Sequence, residues 1–199
     1  RYQEALQVYR SIGEDRGEAI IWHQLGIVAQ EARDWAEAER CYKESLAIEE
    51  RIGDKAGAAQ TCNQLANVAQ NAGRPDEAER WYTRAIAAFE ATGQVQYVAT
   101  ASNNLANLLL AQGRLDEAER YAHRAREIKE QLDLSVEPWA TYDILADIAA
   151  QRGQSLITST TAVPSPNRLP VQLNSGWPGS SPLSMTTLGR KRRTSMTEP

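Results

Sequence analysis

Apolar and small residues recur along this chain with a period of 40. Leu25, Leu65, Leu105 and Leu145 share one column, and Gly26, Ala66, Ala106 and Ala146 occupy the next. Ala38, Ala78 and Ala118 form a third, and Tyr42 and Tyr82 a fourth. The aligned copies start at Ile21, Thr61 and Ala101, and a shorter copy starts at Thr141. Self-similarity at such a spacing marks a repeat architecture, with one supersecondary unit per period. Each period carries two helical patterns separated by breakers. In the middle copy they run over about Ala58 to Asn71 and Pro75 to Ala91. Gly73 and Gly113 end the first helices, where glycine can take the left-handed conformation. Pro75 suits a first helical position, and Asp76 and Glu77 complement the positive helix start. Asp76 with Arg80 and Asp116 with Arg120 are spaced to pair on a solvated face, each pair contributing roughly 0.2–0.5 kcal/mol. Tyr2 and Ala5 fall in the columns of Tyr42 and Ser45, so the chain is expected to open inside the second helix of an earlier repeat, as though cut. One helix pair cannot bury its apolar stripe alone, so neighbours must stack to form a continuous core.

Trp22, Leu25, Gly26, Ala29, Ala38 and Tyr42 together resemble the signature of the tetratricopeptide repeat family: a large residue, Leu-Gly or Leu-Ala, alanine, then an aromatic. The resemblance covers residues 1 to about 154. Ser45 stands where the family has a late alanine, and Ala122 where it has the aromatic. A period of 40 exceeds the usual 34 and is similar to the longer-helix variety of kinesin light chains and bacterial signalling proteins. The resemblance implies an all-α, right-handed α-solenoid of antiparallel helix pairs. Repeats are expected at 1–18 (partial), 19–58, 59–98, 99–138 and 139–154 (partial), followed by a disordered tail over 155–199.

In this family the first helix of each pair lines the concave surface, which implies a set of ligand-facing columns. These are His23, Asn63, Asn103 and Asp143; Ile27, Asn67, Asn107 and Asp147; and Gln30, Gln70, Leu110 and Ala150. The four asparagines form a two-by-two ladder. Asparagine in an exposed helix interior costs roughly 0.5 kcal/mol against alanine, so its recurrence requires a reason. An amide offers both donor and acceptor and can pair with the main chain of an extended peptide. The alternative is that these amides bond between neighbouring repeats and fix register. On the functional reading, Asn67→Ala with Asn107→Ala weakens partner binding and leaves helicity intact. No lysine or arginine occupies these columns, which argues against a clamp for a C-terminal carboxylate. Asp143 and Asp147 make one end of the groove acidic, suited to a lysine- or arginine-bearing ligand, or simply soluble near an exposed end.

The sequence offers little for catalysis. It has no glycine-rich phosphate loop, no paired-histidine metal helix and no glycine-flanked serine elbow. His23 reads as a groove or packing residue and His123 as a surface partner of Glu119. The glutamates alternate with arginine, as on a solvated surface, and are expected to have no individual role. Trp22, Trp35, Trp81 and Trp139 read as core or rim packing. No enzyme activity, metal or cofactor is expected. Cys41 and Cys62 are too few for a disulfide framework and read as small core hydrophobes in a reducing compartment, so a cytoplasmic location is expected. The residues Arg1 to Arg10 lack the apolar stretch of a signal peptide, and apolar runs such as Leu108 to Ala111 are too short to span a bilayer.

The net charge of −4 is unevenly distributed. Residues 155–199 hold Arg168, Arg190, Lys191, Arg192 and Arg193 against Glu198, which makes the tail +4 and the remainder −8. An acidic body argues against nucleic acid and for a neutral or basic protein or peptide partner. Serine, threonine, proline and glycine supply 24 of those 45 residues, a composition expected to stay disordered. Three readings fit the tail: a linker, a basic docking segment through Arg190 to Arg193, or a shifted reading frame. The reading as a whole is a non-catalytic scaffold that binds a partner segment on its concave face. The alternative is a structural segment of a larger protein, self-associating through the open fourth repeat.

Overall fold

A computed structural model describes residues 2–132 and 139–161 of the chain. Eight helices and no strand occur among the described residues: α1 (Tyr2–Ile12), α2 (Asp15–Glu31), α3 (Trp35–Ile52), α4 (Lys55–Asn71), α5 (Pro75–Ala91), α6 (Val95–Ala111), α7 (Leu115–Gln131) and α8 (Trp139–Thr161). Each helix packs chiefly on its neighbours in the chain, and α8 also touches α6. The helices pack most closely as the pairs α2–α3, α4–α5 and α6–α7, with α1 ahead of the first pair and α8 after the last.

The helix termini follow from local chemistry. Asp34 and Asp54 cap α3 and α4 by accepting the N–H of Glu37 at 3.1 Å and of Gly57 at 2.9 Å. The cap at Asp54 explains why α4 begins at Lys55, three residues before the periodic pattern becomes clear. Gly73 and Gly113 close the first helices in the left-handed region, at φ 73° and 74°. The same column in the earlier repeat holds Arg33, which adopts φ 58° at the cost of a crowded Cβ. The disordered tail was expected to begin at residue 155, directly after the fourth copy. Instead α8 continues to Thr161, because Gly153 keeps a helical backbone and no proline intervenes before Pro164. The helical pairs start at 15, 55 and 95, four residues before the boundaries drawn from the sequence columns. Of the expected tail, residues 162–199 lie outside the described residues.

The core is continuous from α2 to α8, built on Tyr42, Leu65, Tyr82, Phe89, Leu105 and Leu109. The small-residue columns let the helices of each pair approach closely. Gly26 lies against the Tyr42 ring, where an added Cβ would come within 2.6 Å of Cε1. A second cluster forms at the N-terminal end from Leu6, Ala19, Trp22, Cys41 and Ile48. Trp22 is buried there, and Arg10 and Arg40 lie 5.5 and 5.0 Å from its ring centre. Trp35 and Trp81 are partly buried against the main core. The side chain of Trp139 lies outside the described ones.

The glutamates and arginines do have individual roles. Arg74, in the turn before α5, reaches back to Glu39 of the preceding repeat at 2.6 Å and also holds Glu77 at 2.5 Å. One period later Arg114 repeats this with Glu79 at 2.5 Å and Glu117 at 2.7 Å. Arg152 of α8 completes the series with Glu119 at 2.9 Å and Asp116 at 2.5 Å. Arg84 with Glu50 and Arg124 with Glu90 form a second row between repeats. Asp116 is thus drawn to α8 rather than to Arg120, which turns instead to Glu117 at 3.8 Å. A bidentate guanidinium held by two carboxylates outcompetes an exposed pair within one helix.

Two outcomes test this packing. Gly26→Ala gains helix propensity yet should destabilise the protein by about 1–3 kcal/mol, measured by urea unfolding, because Tyr42 must shift. Arg74→Met should cost about 1 kcal/mol or less at low salt, and the loss should shrink in 1 M NaCl as the pairs are screened.

Candidate functional site

The first helices α2, α4, α6 and α8 each present one face away from their second-helix partners. On α4 the residues with solvent access along this face are Gln60, Gln64, Asn67 and Asn71; on α6 they are Thr100, Asn104, Asn107 and Ala111. Their spacing of four, three and four residues follows one stripe of a helix. The middle of the face is therefore lined mainly by neutral amides. Asp143 and Asp147 are both exposed on α8, at one end, and Ile20, Val28 and Glu31 are exposed on α2, at the other.

The ligand-facing columns expected from the sequence divide between this face and the packing behind it. Asn67 and Asn107 lie on it, Asn67 half-buried and Asn107 exposed. Asn63 and Asn103 turn inward. Asn103 is 9% exposed, and the side-chain oxygens of both are buried with no hydrogen-bond partner. His23 is half-buried and bonds across to the next first helix, with Nδ1 3.0 Å from Thr61 Oγ1, while its ring meets Tyr42 edge-on at 5.2 Å. Leu110 is buried and Ala150 exposed.

Gln30 and Gln70 have a structural partner. The Tyr42 hydroxyl donates to Gln30 Oε1 at 3.0 Å, and the Tyr82 hydroxyl lies 2.8 Å from Gln70 Oε1 and 2.6 Å from Asn67 Oδ1. Asn67 also donates through Nδ2 to Gln64 Oε1 at 2.8 Å. These glutamines hold the phenol of their own repeat. The sequence carried a sign of this: in the third copy glutamine and tyrosine are lost together, leaving Leu110 and Ala122. Ile27 is half-buried and, with Gln30, Arg33, Trp35, Tyr42 and Gln64, lines a cleft of about 310 Å³. Gln60, Gln64, Asn71, Thr100 and Asn104 were missed by the sequence reading. Extending the stripe from Asn67 by helical spacing finds them.

His123 sits 3.8 Å from Glu119, as expected. Cys41 and Cys62 are free and buried, and burial pushes each thiol up to about 11, so both stay protonated at neutral pH. Among the described residues no group of His, Cys, Asp and Glu could hold a metal ion, and no helix is long and apolar enough to cross a membrane.

The comparisons with known proteins agree with this geometry. Tetratricopeptide repeat family models match residues 1–51, 17–91 and 98–132, and the chain belongs to the tetratricopeptide repeat family. More particularly, its fold is that of kinesin light chain-like repeat proteins. The crystal structure of BtubC (BKLC) from P. vanneervenii superposes with a TM-score of 0.64 at 22% identity, covering 88% of this chain and 78% of that one. A putative kinesin light chain of Podosopora anserina gives 0.60 at 15% identity, covering 81% and 82%. A signal transduction ATPase with a tetratricopeptide repeat sensor from Pyrococcus horikoshii gives 0.58 at 14% identity; the match covers 80% of this chain and 28% of that protein. A search of curated proteins returned no significant match. Tetratricopeptide repeat proteins generally mediate protein–protein interaction, and the fold typically serves as a non-catalytic scaffold.

Two buried groups near α2 give the protein opposing pH responses. Burial holds His23 below its ordinary value of 6.5, so just below that pH the unfolded chain binds more protons and stability falls as pH drops. Burial holds Glu49 above 4.5, against the hydrogen bonds of Thr61 and Ser45, so stability falls as pH rises above 4.5. Melting temperatures of Glu49→Gln and wild type should therefore diverge in favour of the variant from pH 4.5 upward. A margin that does not change with pH would mean that Glu49 titrates as an exposed carboxylate.

Proposed function

We propose that the chain is a protein-interaction module that holds an extended partner segment along the first-helix face. The observation that supports this reading most is the amide stripe running from α4 to α6 through Gln64, Asn67, Asn104 and Asn107. Amides donate to carbonyls and accept from N–H groups, so they hold a peptide main chain whatever its sequence. The helices are packed before the partner arrives, and the ordering cost falls on the partner. Asp143 and Asp147 favour a partner with lysine or arginine toward the α8 end, and the acidic charge of the repeat region disfavours nucleic acid. Buried free thiols fit a reducing, cytoplasmic setting.

A second reading has its own observation. Tyr142 is 46% exposed on α8, the last described helix, and stacking of another repeat or a second copy there would cover it. Sedimentation velocity across a concentration range separates the two: association that is lost in Tyr142→Ser favours stacking, and a concentration-independent monomer favours the groove.

The groove reading is tested by selecting peptides on the whole chain and measuring their affinity for Asn104→Ala/Asn107→Ala. Binding should weaken by about tenfold or more, equivalent to one or two lost hydrogen bonds, with the melting temperature unchanged. Unaltered affinity removes the reading. Asn67→Ala is a poorer test than the sequence suggested, because it also takes a partner from Tyr82.

A further inference from the structure

Successive repeats act as internal controls for what the fold requires beneath its first helices. At the junction of the second and third repeats, Phe89 of α5 is fully buried and stacks on Tyr97 of α6 with ring centres 5.3 Å apart; Ala85 and Ala101 beside it are also buried. One period earlier the same four columns hold Glu49, Gly57, Ser45 and Thr61. The fold is satisfied here by hydrocarbon, so packing does not demand this polar set, and burying a carboxyl group carries a desolvation cost.

The substitution of Gly57 for an aromatic ring leaves a slot. A cleft of about 330 Å³ opens between α2 and α4, lined by Arg16, His23, Gln24, Glu49, Asp54 and Gly57 among others. Gly57 keeps its floor clear, since a Cβ there would come 3.1 Å from Glu49 Oε1 and 3.2 Å from Asp54 Oδ2. The Glu49 carboxyl is only half satisfied. Its Oε1 accepts from Thr61 Oγ1 at 3.1 Å and lies 3.1 Å from Ser45 Oγ. Ser45 has one proton to donate and also faces the Ala19 carbonyl at 2.8 Å. Oε2 has no partner, although the residue is only 6% exposed. Asp54 spends Oδ1 on the α4 cap, and its other oxygen holds Arg16 at a loose 3.6 Å, with the Arg16 side chain 72% exposed.

We propose that this cleft is a subsite for an arginine side chain of the bound partner, whose guanidinium enters over Gly57, displaces Arg16 and pairs with Glu49 and Asp54. The inference rests on the groove reading and names one element of the ligand. Three features favour arginine. The slot stands where a flat ring sits one repeat later, and a guanidinium is flat. Two carboxylates converge there, and a fork of N–H donors can serve both. A guanidinium from the chain itself already rests at the mouth. The Glu49 carboxyl torsion is soft, so Oε2 can turn to meet an incoming N–H. Gln24 and Gln60 on the rim continue the amide stripe, so a peptide lying on that stripe passes over the opening.

The test titrates Nα-acetyl-arginine methylamide, with its neutral citrulline counterpart as control, into the full chain while the backbone amide resonances of Gly57 and Thr61 are followed. The Gly57 N–H is bonded to Asp54, so it reports on the floor directly. Saturable shifts with the arginine compound, weakened about tenfold or more with citrulline and with Glu49→Gln, are expected. Equal shifts with citrulline, or none at Gly57, overturn the subsite. Should Glu49→Gln fold poorly, Arg16→Ala decides: freeing Asp54 should tighten arginine binding by about threefold or more, and unchanged affinity overturns the proposal. Selected peptides that need Asn104 and Asn107 but bind Glu49→Gln undiminished would keep the groove and remove the subsite. Peptides indifferent to both sets of changes would remove the groove itself.

Discussion

Close approach between the two helices of each pair is the constraint on which the other features depend. It requires small residues at positions 26, 66 and 106 and at 38, 78 and 118, and an aromatic or aliphatic filler at 42, 82 and 122. Where the filler is tyrosine, its hydroxyl emerges at the edge of the pair and needs a partner, which Gln30 and Gln70 supply. The amides of the first helices therefore serve two masters. Those nearest the phenols stabilise a tightly packed pair, and those one step farther around the helix are left to the solvent. Thus the choice of core side chain decides which polar residues remain available for a partner.

Packing within pairs does not fix how pairs stack. That task falls partly on guanidinium groups that bridge consecutive units. Arg74 and Arg114 each join carboxylates from two different helices, Arg152 ties α8 to two carboxylates of α7, and each bridge is exposed enough that its strength depends on solvent and salt. Apolar burial supplies most of the cohesion, while the charged bridges orient one pair on the next. Such a division is reasonable for a stack whose stability is approximately a sum of unit and interface contributions.

The architecture was legible because three copies could be laid over one another. Leucine and alanine columns gave the core, glycines 73 and 113 the turns, and Pro75 the start of a helix that runs as expected to Ala91. The candidate face was only half legible, for a geometric reason. Residues four apart on a helix differ by roughly 40° in direction, and on α6 the edge between buried and exposed falls inside that interval, separating Asn103 from Asn107; on α4 both asparagines are half-buried, and only the Asn63 side-chain oxygen is enclosed without a partner. The bridges between units were invisible to local rules, since Glu39 and Arg74 lie 35 residues apart and Glu50 and Arg84 lie 34 apart. Glu49 was hidden among many glutamates, though its column, which reads Glu, Phe and Lys at 49, 89 and 129, varies beside a column that is glutamate at 50, 90 and 130.

The equal spacing of those bridges bears on how such a chain can change length. Glu39 meets Arg74 and Glu79 meets Arg114 across the same 35-residue interval. Excising residues 55–94 in frame would bring Glu39 to Arg114 and Glu50 to Arg124 across unchanged intervals. Unequal crossing-over between copies of the coding sequence could therefore add or remove a unit while keeping these charged bridges matched. At the first junction, however, Tyr97 would arrive in place of Gly57 and meet the Glu49 carboxyl. Copy number can therefore change with the bridges intact, but the loss of this unit would set an aromatic ring against a buried carboxyl group.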